Sequence, residues 1–519
     1  MKKLLETLSL TPSKETRKAL LISFIIINLC FLYHTLNFMW GNHDVKFIKE
    51  ELLLSSGLFE GRFTQFIPQK LLTSGQILPL MNNLIGFIFL TLALYILGLY
   101  WKLPKTTLNY TLFITFFITQ PYTLSWLYFN LYTISCMAWA FFAILGLYLS
   151  LQIPNHPQKQ ALSLTSILCF YLPLGGYPPI INTIFVCLSA KITLDVIFHQ
   201  STIKELFSTY KYTLFNILIA LILFKLTLYF IPKNIVYNLE TTPFDELPQK
   251  FISTLKISFN QFFLSLPFME KGYKIILAVM SFIAILSSIL RPIKLSNLGL
   301  IILLFLASIW LTQLTTFLVV PPTQYVARID FYGLGFLYTF FVCLLLRQKP
   351  KIFESIGIIF AFVIIYINIL NCYHAQYVWQ EGFKHEFKIL ESIYERIESH
   401  PNFNPKQKYR IYQAGDISMR PIYYNKKFDK NEAFLLLTPY LATWQTKNLI
   451  EFYSPYKFIN TPDVIIPSDI TPEVKDFINN HARIWPEKNS IYINKNIIII
   501  ILNQIGLKKL RKDISYIYS

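Results

Sequence analysis

The chain has 519 residues, of which 54% are hydrophobic and only 15% charged, and its mean hydropathy is +0.45; a soluble chain carries about 25% charged residues. A net charge of +18 would suggest nucleic acid as the partner of a soluble protein, but here Lys and Arg crowd short loops between apolar runs, so the lipid bilayer is the expected partner and nucleic acid is not. The six cysteines show neither metal-ligand spacing nor a disulfide framework.

Runs of roughly 20 apolar residues recur, each long enough to cross a hydrocarbon core about 30 Å thick. They fall at 18–40, 80–101, 109–128, 131–151, 161–176, 178–199, 212–232, 273–290, 296–320, 329–346 and 353–371. The pattern predicts a polytopic α-helical membrane protein with about eleven spans, a membrane domain over 1–371 and a C-terminal domain over 372–519. The first run lacks a small-residue cleavage site and reads as a retained signal anchor. Two runs meet at GGYPP, 175–179, where a short span could instead be a re-entrant hairpin.

Basic residues set the expected topology. Lys2, Lys3, Lys14, Arg17 and Lys18 keep the N-terminus inside, and alternation then puts Lys102, Lys159, Lys204, Arg291 and Arg347 inside as well. An odd number of spans carries the C-terminal domain to the outer side. The outer loop 41–79 contains VKFIKEELLLSS, with Val45, Ile48 and Leu52 on one helical face, the pattern of a helix lying on the membrane surface. ISFNQFFLSLPF, 257–268, is aromatic-rich and too short to span. After Asn371 the composition turns mixed: a charged and apolar helical stretch, strand-like KYRIYQAGD and INKNIIIIIL, and LTPYLATWQTKNLIEFYSPY as a helix followed by a turn. This predicts a small α/β domain.

Charged residues beside a bilayer are costly, and the outer side collects those the inside rule does not explain: His43, Asp44, Glu60, Arg62, Asp245, Arg328 and Asp330. A carboxylate there can serve as general base, and an arginine can hold a phosphate bidentately. These groups suit a reaction between a lipid phosphate and a polar acceptor. Each also has a plainer reading. Asp44 could cap a helix starting at Val45. His43 could be a loop residue or hydrogen-bond partner more readily than a metal ligand. Arg62 could anchor by snorkelling or pair with Glu60, Arg328 could pair with Asp330, Lys225 could snorkel outward, and Tyr177 could belong to an interfacial aromatic belt.

The order of features resembles a known family. One span ends; WGNHD follows; an amphipathic stretch leads to GLFEGRF; ILPLMNNLIG opens the second span; LGGYPPIINTIFVCLSA and YVARIDFYGLGFLYTF come later in that order. This resembles the bacterial serotype-converting O-antigen glucosyltransferases, over about 20–346. The resemblance implies the GT-C class of multi-span glycosyltransferases, in the bacterial inner membrane, which take a sugar from a polyprenyl phosphate at the outer face. It implies Asp44 as the catalytic acid position, Gly61 and Arg62 as a Gly-Arg motif, and Tyr177 and Arg328 as weaker matches, with Glu60 and His43 beside the substrates. The family often has two consecutive acids, and His43 stands where the first would be. The implied function is transfer of glucose, or a related hexose, from undecaprenyl phosphate to a surface polysaccharide such as lipopolysaccharide O-antigen. No cofactor or metal is implied, and a flippase and a lipid-sugar synthase would supply the donor. The alternative is a transporter or flippase, which would be expected to show inverted repeats and broken helices with polar groups at mid-membrane. Trp379, Tyr412, Tyr423, Tyr424 and Trp444 could hold the acceptor glycan, or equally pack a core.

Overall fold

The computed structural model describes residues 8, 10–37, 44, 54–232, 244–263, 271–292, 294–318, 327–416, 449–450 and 465–517. These separate into two compact units: the described residues of Met1–Phe38 with Leu52–Ala375, and those of Met39–Glu51 with Gln376–Ser519.

The first unit is built from helices. In chain order they are α1 (Lys14–Cys30), α2 (Leu32–Leu36), α3 (Ile67–Thr73), α4 (Pro79–Tyr100), α5 (Thr107–Ile118), α6 (Pro121–Leu127), α7 (Asn130–Gln152), α8 (Lys159–Gly176) and α9 (Ile180–His199). Then come α10 (Ile203–Phe230), α11 (Leu247–Phe263), α12 (Lys271–Ile289), α13 (Leu295–Leu311), α14 (Leu314–Leu318), α15 (Ala327–Tyr332), α16 (Leu334–Leu346) and α17 (Lys351–Glu398). Among the described residues, seven helical stretches are long and apolar enough to cross a membrane, an architecture compatible with a polytopic membrane protein.

Local chemistry sets where the helices start. Ser13 accepts the Thr16 N–H at 3.2 Å and opens α1, Thr106 does the same for Asn109 at α5, and Thr202 and Glu205 form a reciprocal capping box at α10. At GGYPP, α8 ends and α9 begins, the two joined through Tyr177.

The run 18–40 is interrupted at Phe31, between α1 and α2, and three further apolar runs are not single helices. The run 109–128 breaks between α5 and α6, because Pro121 has no N–H and drives Gln120 to an extended ψ of 140°. The run 296–320 breaks at Thr312 and Gln313, and the run 329–346 at Gly333. The last two breaks meet: a Cβ on Gly333 would lie 2.4 Å from the Thr312 carbonyl oxygen, so only glycine permits this approach. Breaking a buried helix frees backbone groups that lipid cannot satisfy. Asn182 on α9 repairs one break, donating to the Thr312 carbonyl at 2.7 Å and accepting from the Thr315 N–H at 2.9 Å. Thr183 donates to the Tyr332 carbonyl at 2.9 Å.

In the second unit, β1 (Arg410–Ala414) pairs parallel with β3 (Ile497–Ile501), and β2 (Ile491–Asn494) pairs antiparallel with β3, giving the order β1-β3-β2. The five isoleucines of β3 are all buried because the strand is central. The helices α18 (Pro472–Asp476) and α19 (Gln504–Ile517) complete the core, with Val474, Leu507 and Ile514 turned inward. The sequence reading begins the second domain at 372. The structure divides the units at Ala375 and Gln376, inside α17, and groups Asp44, the one described residue of Met39–Glu51, with the second unit, although 1–371 is the membrane domain expected from sequence. Most of LTPYLATWQTKNLIEFYSPY lies outside the described residues.

Asn182→Ala removes both the donor and the acceptor that repair the break at Thr312. It is expected to destabilise the protein by about 2–4 kcal/mol, read as a lowered melting temperature of the purified chain in detergent. An unchanged melting temperature would mean that the freed backbone groups find other partners.

Candidate functional site

The segment before α3 is a tight turn that a single glycine makes possible. Gly61 has φ of 68°, a left-handed conformation that glycine adopts without strain. Its N–H reaches the Leu58 carbonyl at 2.9 Å, and the Arg62 N–H reaches the Gly57 carbonyl at 2.9 Å. Thr64 then ties the turn to the end of α8, through its N–H to the Gly175 carbonyl at 3.0 Å and its hydroxyl to the Leu172 carbonyl at 2.5 Å. The glycine of the Gly-Arg pair thus aims the arginine.

The Arg62 guanidinium lies 4.9 Å from the centre of the Tyr177 ring and forms an ion pair with Glu60. Tyr177 is buried, packed edge-on against Trp126 at 5.0 Å and tilted against Tyr332 at 5.5 Å. Arg328, on α15, lies 4.0 Å from the Phe129 ring centre and 5.8 Å from that of Trp126. Two guanidinium groups from segments far apart in sequence therefore meet at one buried aromatic cluster, with Tyr132 within electrostatic reach of both. Burial is the largest single influence on Arg62 and opposes its charge, but Glu60 together with Tyr177, Tyr132 and Cys136 outweighs it and holds the guanidinium pKa above its usual value. Burial pushes the Tyr177 phenol up, against the nearby Arg328 and Arg62 charges, so it remains a protonated O–H donor at neutral pH. Cations on aromatic faces, with further N–H groups and a phenol beside them, suit a phosphate whose remaining surface is apolar.

Of the residues singled out from sequence, Glu60, Arg62, Tyr177 and Arg328 come together here. Arg62 takes the pairing with Glu60 that the sequence offered as its plainer reading. Tyr177 is inside a packed cluster, not on an exposed belt. Asp44 is fully buried and belongs to the second unit. His43, and the surface helix expected from Val45 as far as residue 53, lie outside the described residues; from Leu54 to Glu60 the chain is a 3-10 turn. Lys225 is exposed on α10. Trp379 and Tyr412 are buried, the latter donating its hydroxyl to Asp469 at 2.7 Å, so both pack the interior. Tyr423, Tyr424 and Trp444 are outside the described residues. Among the described residues no group of His, Cys, Asp and Glu is gathered as a metal would require.

The sequence reading did not single out Trp126, Phe129, Tyr132 or a second polar cluster around Lys274. Lys274, in the first turn of α12, is buried; its Nζ donates to the Tyr122 hydroxyl at 2.8 Å, the Gln261 carbonyl at 2.9 Å and the Tyr338 hydroxyl at 3.1 Å. Gln313 donates to the Gln261 side chain and, at 2.8 Å, to Asp330. Asp330 is two residues from Arg328, and Tyr122 is one helical turn from Trp126. The Lys274 network therefore braces the two elements that carry the arginine-aromatic cluster. Its one signal in the sequence is a lysine at the end of a span that the expected topology places outside, which the inside rule does not explain.

No family model, curated protein or solved structure matches the chain.

Lys274→Met would strip a carbonyl and two hydroxyl groups of a buried partner. The expected loss is about 2–4 kcal/mol, measured by thermal unfolding in detergent. Wild-type stability would show that the network does not hold α6, α11, α12 and α16 together.

Proposed function

We propose that this chain is an inner-membrane glycosyltransferase of GT-C type, with about eleven spans, its N-terminus in the cytoplasm and its C-terminal domain in the periplasm. It transfers glucose, or a related hexose, from undecaprenyl phosphate to a hydroxyl of a surface polysaccharide such as O-antigen. The observation that carries this reading is the convergence of Arg62 and Arg328 on the Trp126–Tyr177 cluster. Two arginines at an aromatic surface match a lipid-linked phosphate in charge, geometry and polarity.

In the proposed reaction the acceptor hydroxyl attacks the anomeric carbon and its proton passes to a general base, the role that the resemblance implies for Asp44. The bond from that carbon to the phosphate oxygen breaks, and the electron pair leaves with the lipid phosphate. Arg62 and Arg328 stabilise the charge developing there. A single displacement inverts the anomeric centre. The donor is made by a separate lipid-sugar synthase and brought outward by a separate flippase.

One observation favours a second reading, a transporter or flippase of a lipid-linked or polar substrate. Helices broken at Pro121, Gln313 and Gly333, with their freed groups held by buried polar side chains, are the kind of element from which transport sites are built. The two readings part in a defined assay. Purified protein given labelled polyprenyl-phosphate glucose and polysaccharide forms a glycosidic product under the first, and only moves the lipid across a bilayer under the second.

In that assay Asp44→Asn is expected to abolish transfer while the chain stays folded and inserted; full activity would remove Asp44 from the mechanism. Arg62→Ala is expected to weaken donor use by roughly tenfold to a hundredfold, the worth of a charge-assisted hydrogen bond, and to leave acceptor dependence unchanged. An unaltered donor dependence would reduce Arg62 to an anchor.

A further inference from the structure

The opposite end of the helix bundle holds a second pair of arginines. Helices α9 and α16 both start beside the Arg62–Arg328 cluster, and α9, at 20 residues, carries its other end about 30 Å away. Phe198 is near that end of α9, Arg347 follows α16, and Arg291 follows α12. The Arg291 guanidinium is 4.5 Å from the Phe198 ring centre and that of Arg347 is 4.2 Å from it. The two cations are therefore within about 9 Å of each other, comparable to a Debye length.

Each guanidinium is held by one fixed bond. Arg291 donates to the Gln348 side chain at 3.0 Å, which is itself anchored on Ser288 at 3.2 Å. Arg347 donates to the Trp101 carbonyl at 2.5 Å. A guanidinium has five N–H groups, so each keeps others available. Among the described residues neither arginine forms an ion pair. The carboxylate that bears on Arg347, Asp195, is already engaged by Lys191 at 2.6 Å and by the Tyr210 hydroxyl at 2.5 Å. Lys102, in contact with His199 at 3.3 Å, adds a further cation. Desolvation, with the Arg291 charge as a lesser contribution, pushes the Arg347 pKa below its usual value.

Membrane orientation alone does not explain this arrangement. Other basic residues expected on the same side, such as Lys105, Lys159, Lys204 and Lys211, are exposed, whereas Arg291 and Arg347 are half-buried on a shared ring. Like charges brought together and partly desolvated raise the energy of the empty site, and an anion bridging them lowers it. Two preorganised planar forks suit phosphate oxygens. Leu290 and Leu295, 66% and 85% exposed on either side of Arg291, add an apolar surface for acyl chains.

We propose that Arg291 and Arg347 form a phosphate-binding site, separate from the Arg62–Arg328 cluster, that takes the headgroup phosphate of an anionic phospholipid. The proposal does not depend on the transferase reading.

The test uses the full chain purified in neutral detergent, with short-chain phosphatidylglycerol, short-chain phosphatidylcholine and inorganic phosphate as separate probes. Binding is read by native mass spectrometry and by melting temperature. Wild type is expected to retain phosphatidylglycerol at least roughly tenfold more strongly than phosphatidylcholine, and Arg291→Gln with Arg347→Gln to lose that preference. Lys159→Gln, an exposed change at the same end, keeps it. Arg291→Gln alone, which leaves the Trp101 bond intact, serves where the double variant does not accumulate. Stabilisation by inorganic phosphate that vanishes in the same variants supports the site with a soluble phosphate ester as its occupant. Equal retention of the two lipids by wild type, or a preference that survives both substitutions, overturns the proposal.

Discussion

A polar group inside a bundle surrounded by hydrocarbon must find its partner within the protein, and the first unit is organised by that constraint. Most of its helices satisfy it by being unbroken. Where the chain breaks, at Gln120, Thr312 and Gly333, side chains step in: Gln120 donates to the Gly335 carbonyl at 3.3 Å, and Asn182 serves both sides of the break at Thr312. The breaks persist because a proline forbids one helix from continuing and a glycine lets the other two meet closely.

Those breaks have a structural consequence. Each one ends or begins a helix short of its full run and turns side chains toward a common region. Trp126 on α6 and Arg328 on α15 stand on the short segments so created, while Tyr177 stands on the joint between α8 and α9. Continuous helices would have placed these groups on long parallel faces. The buried Lys274 network then fixes the short segments, since six-residue and seven-residue helices have little stability of their own. The energetic expense of burying a lysine and an aspartate is offset by their hydrogen bonds and by the rigidity they give the cluster. At the far end the same logic recurs with Arg291, Arg347 and Phe198, where charge is gathered on a ring and fixed by single bonds to Gln348 and Trp101.

What could be read from the chain in advance follows from the cost of charge near lipid. Arg62 and Arg328 stand out because the expected topology does not call for arginine at either place, although pairing with Glu60 or Asp330 is a plainer reading, and Gly61 beside Arg62 marks the turn that aims it. The apolar runs were legible because length and hydropathy leave few alternatives. Trp126, Phe129 and Tyr132 were not legible: in a chain with 17% aromatic residues, position in the fold distinguishes them and identity does not. Lys274 hid near the end of a span, where snorkelling is the ordinary reading. No proline marks the breaks at Thr312 and Gly333, and their determinant is a contact between the two runs. The grouping of Asp44 with the second unit depends on tertiary packing, which spacing along the chain does not encode.

The proposed sugar transfer from a lipid phosphate requires the Asp44 carboxylate. Its most direct test is to compare surface polysaccharide composition and linkage in cells carrying the wild-type chain, the Asp44→Asn chain or neither. The account predicts a hexose branch in the first alone. Identical glycans in all three, in cells that display the acceptor and make the lipid-linked sugar, would contradict it.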